Sequence, residues 1–195
     1  MDCYVIHDNP EEVVEVWRLA YQVYMHAGYC SYDPLGLLRH YRNLDNYDHT
    51  WTVMARDDAG ALIGTNSISL DGPRGLHVDH TFKSETDVVR GECRNRGRRL
   101  GAAWRMAIVG HQNQPDLVLR IIDKTFEVAI EQQCIDTMLY AFHPRHTRFY
   151  QRVLGFSTIA GPTPNGTVQQ APAVLMRSDS EDLRPRWKKI RQRLR

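Results

Sequence analysis

The fold is decided by one stretch towards the C-terminal end of the chain, His143-Pro144-Arg145-His146-Thr147-Arg148-Phe149-Tyr150, followed by Leu154-Gly155-Phe156. A proline in the first turn presets the backbone angle for a helix, and a glycine after the last turn allows the left-handed conformation that ends one. The stretch therefore predicts a short helix over 144–154 and a tight turn into a last pair of strands, which ends near Val174 to Met176.

Upstream of this stretch, helical and strand periodicities alternate. Apolar residues at helical spacing predict a long helix over 116–133, and 135–142 has the apolar run of a strand. Two further strand-like runs, 51–56 and 61–70, are joined by Asp57-Asp58-Ala59-Gly60, which is a hairpin signal. The chain therefore interleaves strands with helices.

The rest of the chain extends the same alternation. This order indicates an α/β (α+β) fold, a mixed central sheet of about six to seven strands with helices on both faces. Residues 1–180 are expected to form one domain, and 181–195 a basic C-terminal helix or tail. The other predicted elements are strands over 3–7 and 100–109, helices over 10–27 and from Ser84 to Arg96, and one helical turn near 37–41.

Composition narrows the class of protein. With 195 residues, of which 42% are hydrophobic, the chain can bury one adequate core without disulfides or metals. No run approaches the roughly 18 apolar residues that a membrane span needs, so we expect a cytoplasmic protein without stable membrane insertion. Four widely separated cysteines lack the Cys-x-x-Cys spacing of zinc or redox sites, and no metal site is expected.

The basic residues are clustered although the net charge is only +2. One cluster lies over 90–99 and another in the C-terminal tail, where Trp187 is the one aromatic residue among the basic ones. Nucleic-acid sites combine a basic patch with stacking aromatic residues, so nucleic-acid binding is not expected. The clusters fit either solvated faces or contacts with an acidic partner.

Several short motifs, taken in order, resemble the long-chain N-acyl amino acid synthases of the GNAT acyltransferase superfamily, a bacterial family related to the autoinducer synthases. The short helix and its Leu-Gly-Phe turn resemble the superfamily in general, and Pro144-Arg145-His146 resembles the narrower family. The resemblance runs from about Tyr4 to Phe156. Its other pieces are Tyr21-Gln22-Val23-Tyr24, Gly28-Tyr29, Asp45-Asn46-Tyr47-Asp48, Ile63-Gly64-Thr65, Gly75-Leu76 with Asp79 and Phe82, and Gly97-Arg98-Arg99-Leu100.

The resemblance implies an N-acyltransferase that moves a long-chain fatty acyl group from acyl carrier protein to the amino group of an amino acid, with tyrosine as a candidate. It implies no cofactor of the enzyme's own, because the acyl group arrives on the phosphopantetheine of the carrier protein. Three alternatives stay open: a coenzyme A dependent small-molecule N-acetyltransferase, an enzyme like the acyl-homoserine lactone synthases, and a degenerate acyl-binding module. The arginines of the autoinducer pattern are missing near Ala20 and Asn66, which disfavours S-adenosylmethionine as acceptor.

Spacing separates two candidate donor loops. The stretch 96–101 looks like the Gly-rich loop that holds the pyrophosphate of coenzyme A. One helix, one strand and a second helix occupy about 45 residues between such a loop and the final Gly-Phe turn. Gly97 lies 58 residues before Gly155, whereas Gly110 lies 45 before it. We therefore expect the donor loop at 110–115, which lacks the glycines and arginine of a pyrophosphate site.

Attack of an amine on a thioester needs a polarised carbonyl and a proton acceptor. The implied fold splays the central strand from its neighbour, so backbone amides near Ile108 and Val109 are expected to bind the thioester oxygen. The glutamate that the related synthases carry in this strand is replaced by Ala102. The remaining candidates for the general base are Glu92, His111 and a water chain to Asp48.

The substrate sites follow from charge and apolar character. An amino acid needs a cation for its carboxylate and an anion for its ammonium, which Arg105 and Asp48 supply, although Asp45 and Asp48 also fit loop capping. Tyr24, Tyr29 and Trp104 are expected nearby. Met106, Phe126, Met138 and Tyr140 are candidates to line a tunnel for the fatty chain, and Arg145, Arg148 and Arg152 to dock the acidic carrier protein.

Overall fold

The structure, a computed structural model, describes residues 2–7, 9–39, 41–110 and 115–194. Within these ranges seven strands form one sheet and six helices flank it. The strands are β1 (Asp2–Ile6), β2 (Thr50–Arg56), β3 (Leu62–Leu70), β4 (Leu100–Ile108), β5 (Thr137–Phe142), β6 (Ser157–Asn165) and β7 (Ala171–Asp179). The helices are α1 (Pro10–His26), α2 (Arg42–Asp45), α3 (Asp79–Asn95), α4 (Pro115–Phe126), α5 (Pro144–Phe149) and α6 (Ser180–Leu194). The predicted mixed sheet with helices on both faces is confirmed.

The order of the strands in the sheet is β1-β2-β3-β4-β5-β7-β6, and the one parallel pair is β4 with β5. That pair is short: Leu100 faces Thr137, Gly101 faces Met138, and the register ends where Ala102 faces Leu139. β4 continues for six more residues along β3 alone. The sheet therefore has a gap between β4 and β5, as the resemblance implies.

Helices cover the two faces of the sheet, which we call the α4 face and the α3 face. On the α4 face, α4 and α6 bury the largest cluster of apolar side chains, including Phe126 and Trp187. On the α3 face, α1 packs against β3 and β4, and Val89 and Cys93 of α3 pack beneath Leu100. α2 lies on this face as well, through the contact of Leu44 with Trp104.

Two helix predictions are wrong in position. The helix predicted from Ser84 begins at Asp79, because the Asp79 carboxylate accepts the amide of Leu76 and closes the turn before it, and a kink at Phe82 lies inside the helix. The helical turn predicted near 37–41 does not form among the described residues of that stretch; the helix of this segment is α2, which begins at Arg42. Leu38 instead donates its amide to the carbonyl of Trp17 on α1, which holds that segment extended.

The C-terminal segment forms a helix that packs against the domain. α6 buries Leu183, Trp187 and Ile190, and the Trp187 indole donates to Asp123 of α4 at 2.6 Å. Most of its basic residues therefore lie on the outer side of a packed helix, whereas Arg191 forms ion pairs with Asp123 and Glu127. No helix within the described ranges has the length and apolar character to cross a bilayer.

Candidate active site

A cavity of about 450 Å³ occupies the gap between β4 and β5 and reaches both faces of the sheet. On the α4 face its walls are apolar, and on the α3 face they are polar and aromatic. This arrangement exists because β4 stops pairing with β5 after Ala102, so side chains from both helical layers meet in the opening. We call the two parts the apolar chamber and the polar chamber.

The apolar chamber is formed by α4 and by the residues around the final Gly-Phe turn. Its lining residues are Val118, Leu119, Ile122, Phe126, Tyr140, Tyr150, Leu154 and Phe156. The rings at its inner end are in contact: Tyr140 and Phe156 stack with their centroids 4.5 Å apart, and Phe126 meets Phe156 edge to face at 6.4 Å. Burial raises the pKa of the Tyr140 and Tyr150 phenols, which therefore stay neutral in this chamber.

The polar chamber contains Tyr24, Tyr41, His77, Trp104 and Arg105. The rings are packed on one another, with the Tyr41 and Trp104 centroids 5.2 Å apart and the His77 and Trp104 centroids 6.2 Å apart. Burial raises the pKa of the Tyr24 phenol, an effect that the charge of Arg105 opposes. The chamber thus combines flat aromatic walls with one fixed cation.

Arg105 is held at the centre of the polar chamber by an irregularity of β4. The register between β3 and β4 shifts here, and Arg105 takes a left-handed backbone conformation with φ of 53°. The guanidinium donates to Asp45 at 2.5 Å and to the Ser67 hydroxyl at 2.8 Å, and it lies 4.4 Å from the Trp104 ring. Both charged side chains are 1% exposed, and Trp17 also donates to Asp45.

One hydrogen-bond donor of the Arg105 guanidinium group has no partner among the described residues. This donor, Nε, is buried, although the side chain lines the cavity. Leaving a buried donor unpaired costs about 1–3 kcal/mol. Such a donor is suited to bind an oxygen of a ligand once the side chains that cover it shift.

The mouth of the cavity is formed by Tyr29 and by residues at the start of α5. His143 caps α5 by accepting the amide of Arg145, and its ring stacks on Tyr29 with the centroids 6.2 Å apart. Burial and then the charge of Arg145 lower the pKa of His143. Arg145 also donates to His146 at 3.0 Å and lies 5.8 Å from the Tyr29 ring centroid. Asn66 lies farther in, where it donates to Thr125.

The structure brings most of the predicted site residues together and leaves others apart. Val109 follows β4 and is exposed, Met138 is buried in the core beside the cavity, and Arg148 and Arg152 lie exposed on and just after α5. His111 lies outside the described residues. The predicted residues that line the cavity are Tyr24, Tyr29, Trp104, Arg105, Met106, Ile108, Phe126, Tyr140 and Arg145.

Two residues that the sequence placed near the substrates, Asp48 and Glu92, do not line the cavity. Asp48 is exposed and does not line the cavity, because α2 turns Asp45 inward instead, where Arg105 and Trp17 bind it. Glu92 lies on the outer side of α3 and forms an ion pair with Arg177 at 2.6 Å, since the neighbouring Cys93 takes the inward position. Neither carboxylate is in contact with the cavity.

Sequence reasoning missed Tyr41 and His77, both of which line the polar chamber. The signal for His77 was present, because it lies within the Gly75-Leu76 and Asp79 piece of the resemblance. Tyr41 precedes α2, for which the sequence has no steady periodicity. No group of three or more metal-ligating side chains occurs in the part of the chain that the structure describes.

Comparison with known proteins extends these observations. A sequence profile of the family described as N-acyl amino acid synthase FeeM matches residues 15–179. The solved structure of FeeM, an N-acyl amino acid synthase from uncultured soil microbes, is 24% identical, with a TM-score of 0.77 over 97% of this chain and 98% of that one. No curated protein matches the sequence significantly.

Two more distant structures share the fold. An acyl-CoA N-acyltransferase from Pseudomonas aeruginosa is 18% identical, with a TM-score of 0.61 over 90% of this chain and 97% of that one. BjaI, a coenzyme A dependent acyl-homoserine lactone synthase, is 12% identical, with a TM-score of 0.62 over 96% of this chain and 88% of that one. The family that the sequence motifs indicated is thereby confirmed: the chain belongs to the FeeM family of N-acyl amino acid synthases, which are N-acyltransferases with the GNAT fold.

Proposed function

We propose that this N-acyl amino acid synthase transfers a long-chain fatty acyl group from acyl carrier protein to the α-amino group of an amino acid, with tyrosine as the first acceptor to test. The observation that carries this proposal is the cavity with one apolar and one polar chamber, which meet in the gap between β4 and β5. A fatty acyl amino acid has the same division into a long apolar chain and a compact polar head. The amide bond between them would form at the gap.

The apolar chamber suits an acyl chain because α4 and the final turn line it with aliphatic and aromatic side chains. Each methylene moved from water into such a site contributes about 0.8 kcal/mol. A chain longer than an acetyl group therefore gains several kcal/mol from the same walls. This supports a long-chain donor over an acetyl donor.

The polar chamber suits an amino acid with an aromatic side chain. The unpartnered Nε of Arg105 can donate to the carboxylate of the acceptor, while the charge of Arg105 is already balanced by Asp45. Trp104 and Tyr41 offer ring faces and edges at the distances of aromatic pairs. These features favour tyrosine, phenylalanine or tryptophan over small acceptors.

Coenzyme A is the second candidate donor, because two proteins that share the fold are described by it. The Pseudomonas aeruginosa protein is described as an acyl-CoA N-acyltransferase, and BjaI as coenzyme A dependent. Against it, the residues between β4 and α4 read Val-Gly-His-Gln-Asn-Gln, without the glycines and arginine that cradle pyrophosphate. The exposed Arg145, Arg148 and Arg152 provide a basic surface for an acidic carrier protein instead.

Mass spectrometry of lipid extracts tests the proposed activity most directly. A bacterial host that expresses the protein should accumulate N-acyl amino acids that the host with an empty vector lacks. The purified protein, supplied with acylated carrier protein and each amino acid in turn, should yield the same compounds. Activity with acetyl coenzyme A and a small amine alone would contradict the proposal.

The first prediction concerns the donor. Calorimetry should detect binding of acylated carrier protein and at least tenfold weaker binding of the acyl coenzyme A with the same chain. The carrier protein can contact the spread-out arginines at α5 with an extended acidic surface, whereas the sequence 110–115 offers coenzyme A no pyrophosphate cradle. Unacylated carrier protein is the control that separates docking from binding of the chain. Submicromolar binding of acyl coenzyme A, with none of the acylated carrier protein, would exclude the proposed donor.

The second prediction concerns the docking surface. Changing both Arg148 and Arg152 to glutamate should raise the KM for acylated carrier protein about tenfold and leave kcat nearly unchanged, because exposed charges act mainly on association. The matched control reverses two exposed lysines of α6, Lys188 and Lys189, and should have little effect. The wild-type association rate should also fall as salt is added, since screening acts over roughly 8 Å at physiological ionic strength. A rate independent of salt would refute docking by charge.

A further inference from the structure

The cavity contains few groups that could take a proton from an amine. No carboxylate of the described residues lines it, and its ionisable lining groups are tyrosines, arginines and three histidines, His77, His143 and His146. Burial raises the pKa of Tyr24 and Tyr41, so these phenols stay protonated at neutral pH and cannot serve as bases. Among the described residues that line the cavity, the choice is therefore among these three histidines.

Two of the three histidines are poor proton acceptors because of Arg145. His143 uses Nδ1 to accept the amide of Arg145, and burial and the charge of Arg145 lower its pKa. His146 accepts the Nε donor of the same guanidinium at 3.0 Å. A second positive charge on either ring would be repelled by Arg145. Both histidines also lie at the mouth of the cavity, His143 as the cap of α5 and His146 within it.

His77 occupies a different environment, inside the polar chamber. Its side chain is 6% exposed, and its ring lies between Trp104, nearly parallel at 26°, and Tyr41, at 76°. Neighbouring aromatic rings interact with a cation by about 0.5–2 kcal/mol, which offsets part of the cost of charging a buried ring. His77 thus combines access to the cavity with two aromatic neighbours that can contact a cation.

Among the described residues, the two rings in contact with His77 carry no formal charge. From the segment before α2 it meets Tyr41, and from β4 it meets Trp104, beyond which Arg105 is balanced by Asp45. On its own segment the ionisable neighbours are Asp79 and His80, of which His80 is exposed and contacts Tyr41. β6, which packs against α3, has no ionisable side chain in its sequence Ser-Thr-Ile-Ala-Gly-Pro-Thr-Pro-Asn.

The segment that carries His77 is fixed by a network of ion pairs. Arg90 binds Asp71 at 2.8 Å and Asp79 at 3.0 Å, on either side of the segment in sequence. Asp79 also accepts the amide of Leu76, and Gly75 takes a left-handed conformation so close to Asp79 that a side chain there would collide with it. The Gly75-Leu76 and Asp79 piece of the family resemblance therefore positions His77.

We propose that His77 is the general base that takes a proton from the acceptor amine as it attacks the thioester. This inference rests on the proposed function. The amine enters after losing one proton to water; its nitrogen forms the bond to the thioester carbon and passes its next proton to the His77 imidazole. The carbon–sulfur bond then breaks, sulfur leaves with the electron pair, and the thiolate takes up one proton as His77 returns to its neutral form. The products are the amide and the free thiol of the donor.

The test compares His77→Gln with wild-type enzyme in the assay for acylated amino acid. We expect kcat to fall by about 10²–10⁴, with the KM values for both substrates within about threefold of wild type. The matched control is His80→Gln, three residues away and exposed, which should keep the wild-type rate. In His77→Ala, added imidazole should restore part of the rate, which a purely structural role of His77 would not allow.

The dependence of kcat/KM on pH supplies a second readout. The logarithm of the wild-type kcat/KM should rise with pH at a slope of about two, because both the amine and one enzyme group must lose a proton, and the slope should drop to about one above the pKa of that group. His77→Gln should show a slope of about one throughout, up to the pKa of the amine. A folded His77→Gln variant with more than about a third of the wild-type rate would overturn the inference. So would a wild-type profile without that change of slope, even if the variants fail to fold. If the wild-type enzyme forms no acylated amino acid, the proposed function itself fails, and the two failures are thus distinguishable.

Discussion

Replacing Arg105 by methionine should lower the free energy of unfolding by roughly 3–5 kcal/mol, because it leaves the Asp45 carboxylate charged and buried without its partner. The same change should abolish detectable acyl transfer, since the polar chamber loses the donor assigned to the acceptor carboxylate. Urea unfolding followed by tryptophan fluorescence measures the first effect, and the assay for acylated amino acid measures the second.

The double variant Arg105→Met with Asp45→Leu separates stability from function. Removing both charges replaces the ion pair by apolar side chains, which is often neutral or stabilising, so the double variant should recover most of the lost stability. It should remain inactive, because the cation is still missing. Additive losses of stability in the double variant would show that Arg105 and Asp45 are not coupled, and recovered activity would show that Arg105 does not bind the acceptor.

Replacing Ile122 by tryptophan should convert the enzyme to one that uses short acyl chains. Ile122 is a buried residue of α4 in the wall of the apolar chamber, so an indole there occupies the space of part of the chain. A chain that must end about four methylenes earlier loses roughly 3 kcal/mol of burial, which corresponds to about a 10²-fold lower kcat/KM for long donors. Donors short enough to end before the indole should react at the wild-type rate.

Arg120→Trp is the matched control for this change. It introduces the same side chain two residues earlier on α4, at an exposed position that does not line the cavity. Its profile of rate against chain length, measured with a series of acylated carrier proteins, should match that of the wild type. Equal losses for short and long donors in Ile122→Trp would indicate general damage to packing and would contradict the assignment of the apolar chamber.

The order of strands and helices could be predicted because it follows from apolar periodicity and from the glycines and prolines at the ends of the elements. Counting back from Gly155 placed the central strand at 100–109, and the structure has β4 at Leu100–Ile108. The start of α3 was missed, since Ser84 looks like a capping residue in sequence while the turn is in fact closed by Asp79. Local patterns predict an element more reliably than its first residue.

The polar chamber could be predicted only in part. Arg105 was selected for its charge, but its left-handed conformation and shifted register depend on pairing with β3 and leave no trace in the sequence of β4 itself. Asp45 and Asp48 are equivalent in sequence, and the short α2 decides which one faces inward. His77 is a single histidine in a loop, and only the assembled sheet brings it beside Trp104.

The short pairing of β4 with β5 also has a consequence for how the chain is made. β1 to β4 form an antiparallel meander in which each strand pairs with the next, so every partner is present once residue 108 has left the ribosome. The β2–β3 hairpin, which closes a loop of only five residues, is expected to form first. The second half of the sheet, β5 to β7, joins the first through three residue pairs and the shared core beneath α4. The nascent protein can therefore be half folded while the cavity, whose walls include residues of β5 and of the segments after it, does not yet exist.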